Sequence, residues 1–197
     1  MKMEKILVLA PHTDDAELGC GGAIARFLEE GKKVFVLAFS PAQADPSEFV
    51  NSMRILGVER FELKYYQFRE FDQKRQDILD CLIEMRNSFK PDLVIMPSVY
   101  DTHQDHEIVC REGFRAFKRA RILGYQSPWN QKIIDLSFFV SLEKRHLDKK
   151  MESLECYKSQ RIKFYIKDDY VVGRARHLGY LVDVPYAEVF QQIRWVL

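Results

Sequence analysis

The chain of 197 residues has no long hydrophobic run. Its N-terminal apolar stretch, residues 6–10, stops at Pro11. That is far short of the ~20 residues a membrane-spanning helix needs, and too short for the core of a signal peptide. No charge of one sign dominates, since Lys plus Arg number 30 against 29 Asp plus Glu. Nothing general therefore draws the chain to nucleic acid or another polyanion. Cysteine is scarce: Cys20, Cys81, Cys110 and Cys156 stand far apart and form no Cys-x-x-Cys pair. This argues against a thiolate zinc site or a disulfide framework and fits reduced thiols in a cytoplasm. Repeats, low-complexity segments and linkers are absent too, so residues 1–197 read as a single domain. With 47% hydrophobic residues, a chain of this length can bury a core without disulfide or metal support.

What is present alternates. Residues 5–10, 33–39, 61–66 and 93–96 read as strands, the first two rich in Ile, Leu and Val. Between and after them, residues 21–31, 46–57, 72–89 and 107–119 read as helices. Ile24, Phe27 and Leu28 give the first helix its apolar stripe. This order predicts an α/β fold with a mainly parallel sheet and helices on both faces. The last third is less regular. There we expect a strand at 133–142, a helix at 147–157 and a closing helix at 186–196.

In open α/β sheets, ligands bind beyond the carboxyl ends of the strands. Two such ends carry chemistry: Pro11-His12-Thr13-Asp14-Asp15, and Asp101-Thr102-His103-Gln104-Asp105-His106. Three of the five histidines lie there. Imidazole and carboxylate suit zinc, and a catalytic zinc usually takes three protein ligands and keeps one position open. His12, Asp15 and His106 supply those three. Asp14 is then the free carboxylate beside the metal, placed as general base. His103 is placed to donate to an oxyanion or a leaving amine, with Asp105 orienting it and raising its pKa. These parts describe metal-assisted hydrolysis of an amide or ester. Either motif alone would more often be a polar loop, and Asp14 or Asp15 alone a helix N-cap. His146 and His177 have no such company and read as ordinary residues.

Other features have plainer readings. Gly19-Cys20-Gly21-Gly22 lacks the third glycine of a dinucleotide fingerprint, with Ile24 in its place, and Phe39-Ser40 stands where an acid is expected. We read these glycines as close packing. Arg111, Arg115, Lys118 and Arg119 read as a solvated helix face, with a phosphate-binding wall as the functional alternative. Lys144, Arg145, Lys149 and Lys150 carry the same ambiguity. Tyr125, Pro128 and Trp129 offer buried packing, a subunit contact or a sugar-cleft wall.

The two histidine motifs resemble those of the PIG-L/LmbE-like zinc-dependent N-deacetylases. Pro11, His12, Asp14, Asp15, Gly19, Gly21 and Gly22 fall in register with its first motif, and His103, Asp105 and His106 with its second. Weaker matches follow at Glu48, Leu56-Gly57, Tyr157, Ser159-Gln160, Ala187-Glu188 and Phe190. The resemblance implies a Rossmann-like fold and removal of an N-acetyl group from an amino sugar. It also implies metal ligands His12, Asp15 and His106, with catalytic Asp14, His103 and Asp105. Asp45 stands where the family often has an arginine, and Arg69 is a candidate substrate-binding replacement. The expected cofactor is zinc, although ferrous iron suits the same ligands. The expected partner is a small-molecule amino sugar, with no nucleic acid or membrane span, and relatives often form homo-oligomers. Two competitors are a non-haem iron oxygenase using a His/Asp/His triad and a non-catalytic sugar- or nucleotide-binding module. The oxygenase triad normally sits on an antiparallel barrel, which this alternating pattern does not suggest.

Overall fold

The computed structural model describes residues 3–196. Strands β1 (Lys5–His12), β2 (Lys33–Ser40), β3 (Arg60–Leu63), β4 (Leu93–Pro97) and β5 (Arg121–Tyr125) run parallel. Strands β6 (Phe138–Leu142) and β7 (Tyr186–Arg194) complete a seven-stranded sheet of order β3-β2-β1-β4-β5-β7-β6, with β7 antiparallel to both neighbours. Helices α1 (Asp15–Glu29), α2 (Pro46–Leu56), α3 (Arg75–Phe89), α4 (Gln104–Ala116), α5 (Lys144–Leu154) and α6 (Asp168–Tyr180) cover it. No described helix is long and apolar enough to cross a membrane.

The near-continuous apolar runs of β1 and β2 follow from burial on both faces. Ile6, Val8 and Ala10 pack under α1 and α2, while Leu7 and Leu9 pack under α3 and α4. Each fully buried Leu, Val or Phe contributes ~1.5–3 kcal/mol. Strand β1 pairs with β2 on one side and β4 on the other, in register Ile6↔Leu93, Leu7↔Val94, Val8↔Ile95. The strand order reverses between β1 and β4, and both histidine segments leave the sheet there.

Several sequence expectations are corrected. Residues 186–196 form no helix; β7 lies between β5 and β6, buried on both faces at residues 187–190. Tyr186, Val189, Phe190 and Ile193 mimic a helical stripe, and double burial removes the alternation that would betray a strand. The strand expected at 133–142 is confined to Phe138–Leu142. β5 and α6 were not foreseen: β5 is only five residues long, and α6 carries Gly173 and Gly179. Helix α4 starts at Gln104 rather than 107, which puts Asp105 and His106 in its first turn.

Helix α1 begins at Asp15, earlier than 21, and is interrupted at Cys20 (φ −151°, ψ 23°). The groups flanking this break find partners elsewhere. The Glu188 carboxylate accepts from the backbone N–H of Gly22 (3.1 Å) and Ala23 (2.7 Å). Lys150 Nζ donates to Leu18 O (2.8 Å) and to Glu188 (2.6 Å). The glycines are close-packed, as expected: a Cβ on Gly19 would come within 2.3 Å of the buried Tyr125 ring. Lys150 and Glu188 are both buried, so Lys150→Met leaves an uncompensated carboxylate. The expected loss is ~3–5 kcal/mol of stability, measured by urea unfolding. A loss below ~1 kcal/mol would mean the pair is dispensable.

Candidate active site

His12 ends β1, Asp15 opens α1, and His106 sits in the first turn of α4. Their side chains converge. His12 Nδ1 lies 3.3 Å from His106 Nε2 and 3.2 Å from Asp15 Oδ2, and His106 Nε2 lies 3.2 Å from the same oxygen. Ligands ~2.1 Å from a tetrahedral ion stand about 3.4 Å apart. The triangle therefore fits one small divalent cation. His103 belongs to the same histidine cluster, whose ligand atoms all lie within 4.8 Å of one another. We take the tighter triangle with Asp15 as the ligand set because its three edges match a coordination sphere.

The far nitrogen of each ligand imidazole is held by a carboxylate. His12 Nε2 donates to Asp105 Oδ2 (3.0 Å), and His106 Nδ1 donates to Asp101 Oδ2 (2.9 Å). Such bonds leave His12 Nδ1 and His106 Nε2 as the free lone pairs. Asp105 thus orients His12 rather than His103, contrary to the sequence expectation. Its backbone N–H instead donates to His103 Nδ1 (3.2 Å). That bond puts the proton of a neutral His103 on Nε2. Nor is the His103 pKa raised: burial and the neighbouring His106 and His12 push it down to about 4. Asp101, to which the sequence reading gave no role, also caps the turn by accepting from His103 N–H (3.0 Å).

Asp14 stands outside the triangle. It is the residue preceding α1, but its side chain makes no cap hydrogen bond. Burial, reinforced by Asp15, pushes its carboxyl up. Burial would push Asp15 up too, but His106 and His12 hold it well below the usual range. Lys163 Nζ lies 3.7 Å from Asp14 Oδ2. Lys163 escaped the sequence reading because it sits between two short 3-10 turns with no periodic pattern to place it.

These groups floor a cleft of 260 Å³ walled by loops after β2, β3 and β5 and by residues 160–165. Arg69 and Trp129 line it. Tyr125 does not: it is fully buried on β5 and donates to Leu9 O. The basic residues of α4 lead away from the cleft. Arg115 pairs with buried Glu112, and Lys118 and Arg119 lie beyond the helix, just before the amino end of β5. His146 is structural, accepting from Glu143 N–H and bonding Glu29.

Glu17 lies behind the site, fully buried, accepting from Tyr157 OH (2.7 Å) and Ser52 Oγ, with Oε2 unpartnered. Burial pushes its pKa up to about 8. The folded protein therefore holds a proton here that the unfolded chain releases near pH 4.5. Its contribution to stability falls as pH rises from about 4.5 to about 8, then levels off. Glu17→Gln is expected to remove that slope. Its melting temperature should gain on the wild type progressively from pH 5 to pH 8. A gap independent of pH would show that Glu17 is ionised throughout.

Comparison with known proteins adds to this geometry. Residues 7–117, more than half of the chain, match the PIG-L family, described as GlcNAc-PI de-N-acetylase. The uncharacterized deacetylase YaiS of Escherichia coli K12 is 27% identical over 173 residues, 80% of this chain and 92% of that protein. The structure of the conserved protein TT1542 from Thermus thermophilus superposes with TM-score 0.82 at 24% identity, covering 100% of this chain and 97% of that one. N,N'-diacetylchitobiose deacetylase from Pyrococcus horikoshii gives 0.76 at 20% identity, covering 96% and 84%. GalB, the 4-carboxy-2-hydroxymuconate hydratase from Pseudomonas putida KT2440, gives 0.81 at 18%, covering 99% and 98%. The α/β fold is thus shared by proteins of different reactions, and the fold alone does not choose among them.

Proposed function

Because the chain belongs to the PIG-L family of deacetylases, we propose that it hydrolyses the N-acetyl group of an amino sugar or its conjugate, using a divalent metal, zinc, held by His12, Asp15 and His106. The observation that carries this reading is the three-ligand triangle with a second carboxylate, Asp14, just outside it. Three ligands leave a coordination position open, as catalytic sites require.

The ion, when bound, supplies Lewis-acid polarisation of the acetyl carbonyl and of the attacking water. The rest belongs to the chain. Asp14 takes the proton of the attacking water, and its burial-raised carboxyl suits it to pass that proton on to the leaving amine. His103, neutral with its proton on Nε2, donates a hydrogen bond to the developing oxyanion. Asp105 and Asp101 hold the two ligand imidazoles in place. Arg69 faces the cleft as a substrate-binding side chain. The parallel sheet counts against the oxygenase reading, and a binding module would leave Asp14 without a purpose.

The test is free-amine release from N-acetylhexosamines, their glycosides and their nucleotide conjugates, with added zinc. Release from any of them supports the reading. Release from none, with a different bond hydrolysed or hydrated, overturns it.

A further inference from the structure

We infer that Trp129 is the stacking platform for a second ring attached to the amino sugar, so that the substrate is a glycoside or disaccharide rather than a free monosaccharide. The inference rests on the amino-sugar reading above.

Trp129 is 70% exposed although it lines the cleft beside the metal-binding residues. It is also one of five non-glycine residues with positive φ, at 70°. Three of those five, Ala42, Arg69 and Trp129, line this one cleft. A bulky side chain in that backbone region is an outlier of the kind found at ligand sites. The surrounding loop holds it there. The Gln126 side-chain amide donates to Asp135 O (2.7 Å) and accepts from Asp135 N–H (3.0 Å), closing residues 127–134 into a loop. Asn130 O accepts from both the N–H and the hydroxyl of Thr102. Gln131 Nε2 donates to Asp101, the same carboxylate that orients His106. The indole is thereby tied to the metal-binding turn.

The surroundings of the indole select its occupant. Tyr165 meets it edge-on (centroids 4.8 Å, 85°) and Phe164 tilted (5.2 Å, 50°). Both buttress the ring without covering most of its surface. Hydrogen-bonding side chains share the cleft: Gln43, Asn130, Gln160 and Arg69. The Arg69 guanidinium lies 4.8 Å over the Phe68 ring, with no ion pair among the described residues. An open aromatic face rimmed by donors and acceptors matches a pyranose, which offers a C–H face and hydroxyls at its edge. At 260 Å³ the cleft falls below the ~300–1,000 Å³ of sites that enclose drug-sized ligands. It encloses one ring and leaves the next at the mouth, on Trp129.

The test uses Trp195→Phe with Asp14→Asn, which leaves Trp129 as the only tryptophan and blocks turnover. Trp195 packs on Phe138 and lies under Arg121, outside the cleft lining. Trp129 fluorescence is titrated with N-acetylglucosamine, N,N'-diacetylchitobiose and a nucleotide-linked N-acetylglucosamine. The expected result is a shift in Trp129 emission and at least tenfold tighter binding for the disaccharide than for the monosaccharide. In the Asp14-containing enzyme, Trp129→Ala should lower kcat/KM at least tenfold more for the disaccharide, with Trp129→Phe recovering part of the loss. Equal affinity for both sugars with unchanged emission overturns the platform even if both are deacetylated. So does tight binding of the nucleotide sugar alone, or concentration-dependent self-association that buries Trp129. A disaccharide-dependent shift without deacetylation of any sugar by the wild type overturns the deacetylase reading and leaves the platform standing.

Discussion

Asp14→Asn is expected to lower turnover ~10²–10⁴-fold, the usual contribution of a positioned general base, while metal content stays at the wild-type level. Asn has nearly the same size and can keep the polar contact with Lys163, but it cannot accept a proton from water. Asp14 also lies outside the triangle of Nδ1, Nε2 and Oδ2 atoms, so its loss removes no ligand. The experiment pairs kcat on a released-amine assay with metal analysis of the purified variant. Near-wild-type turnover would show that another group activates the water. Loss of metal would move Asp14 into the ligand set and demote one of the other three residues.

The second large effect concerns the metal. His106→Ala removes one vertex of the triangle and leaves the carboxylates of Asp15 and Asp101, which His106 bridges, without the group between them. Metal binding is expected to fall by orders of magnitude, with stoichiometric metal lost on dialysis and activity lost with it. Asp101→Asn tests the same site more gently, because it keeps every ligand and weakens only the bond that orients His106 Nδ1. The expected cost is ~10–100-fold in metal affinity, read by chelator competition. If His106→Ala folds and retains stoichiometric metal, the assigned ligand set is wrong. If Asp101→Asn binds metal as the wild type does, the hydrogen bond to His106 has no orienting role.

Much of this site is visible in the sequence because its geometry is locally encoded. His12 stands where the apolar run of β1 ends, and His106 follows shortly after that of β4. Rules for parallel sheets put both at the carboxyl edge. The partners of the ligands are not visible in this way. Asp105 reaches His12 across 93 positions, and its distance of two residues from His103 suggested the wrong histidine. The start of α4 at Gln104 decides the matter: it aims the Asp105 carboxylate at β1 and uses the Asp105 N–H for His103.

The sequence by itself determined the alternating α/β class and the two histidine motifs, because period, burial and spacing are local properties. It also implied a closely packed Gly19 segment, since three glycines at a helix start have few other uses. Only the tertiary structure decided that residues 186–194 form a strand, since its neighbours β5 and β6 supply the hydrogen bonds that override a helix-like stripe. Only the tertiary structure showed that Glu188 and Lys150 bind the groups flanking the break at Cys20, and that Lys163 and Trp129 join the cleft. Each of these depends on contacts between segments far apart in the chain, where side-chain identity carries no local signal and the path of the backbone sets which groups meet.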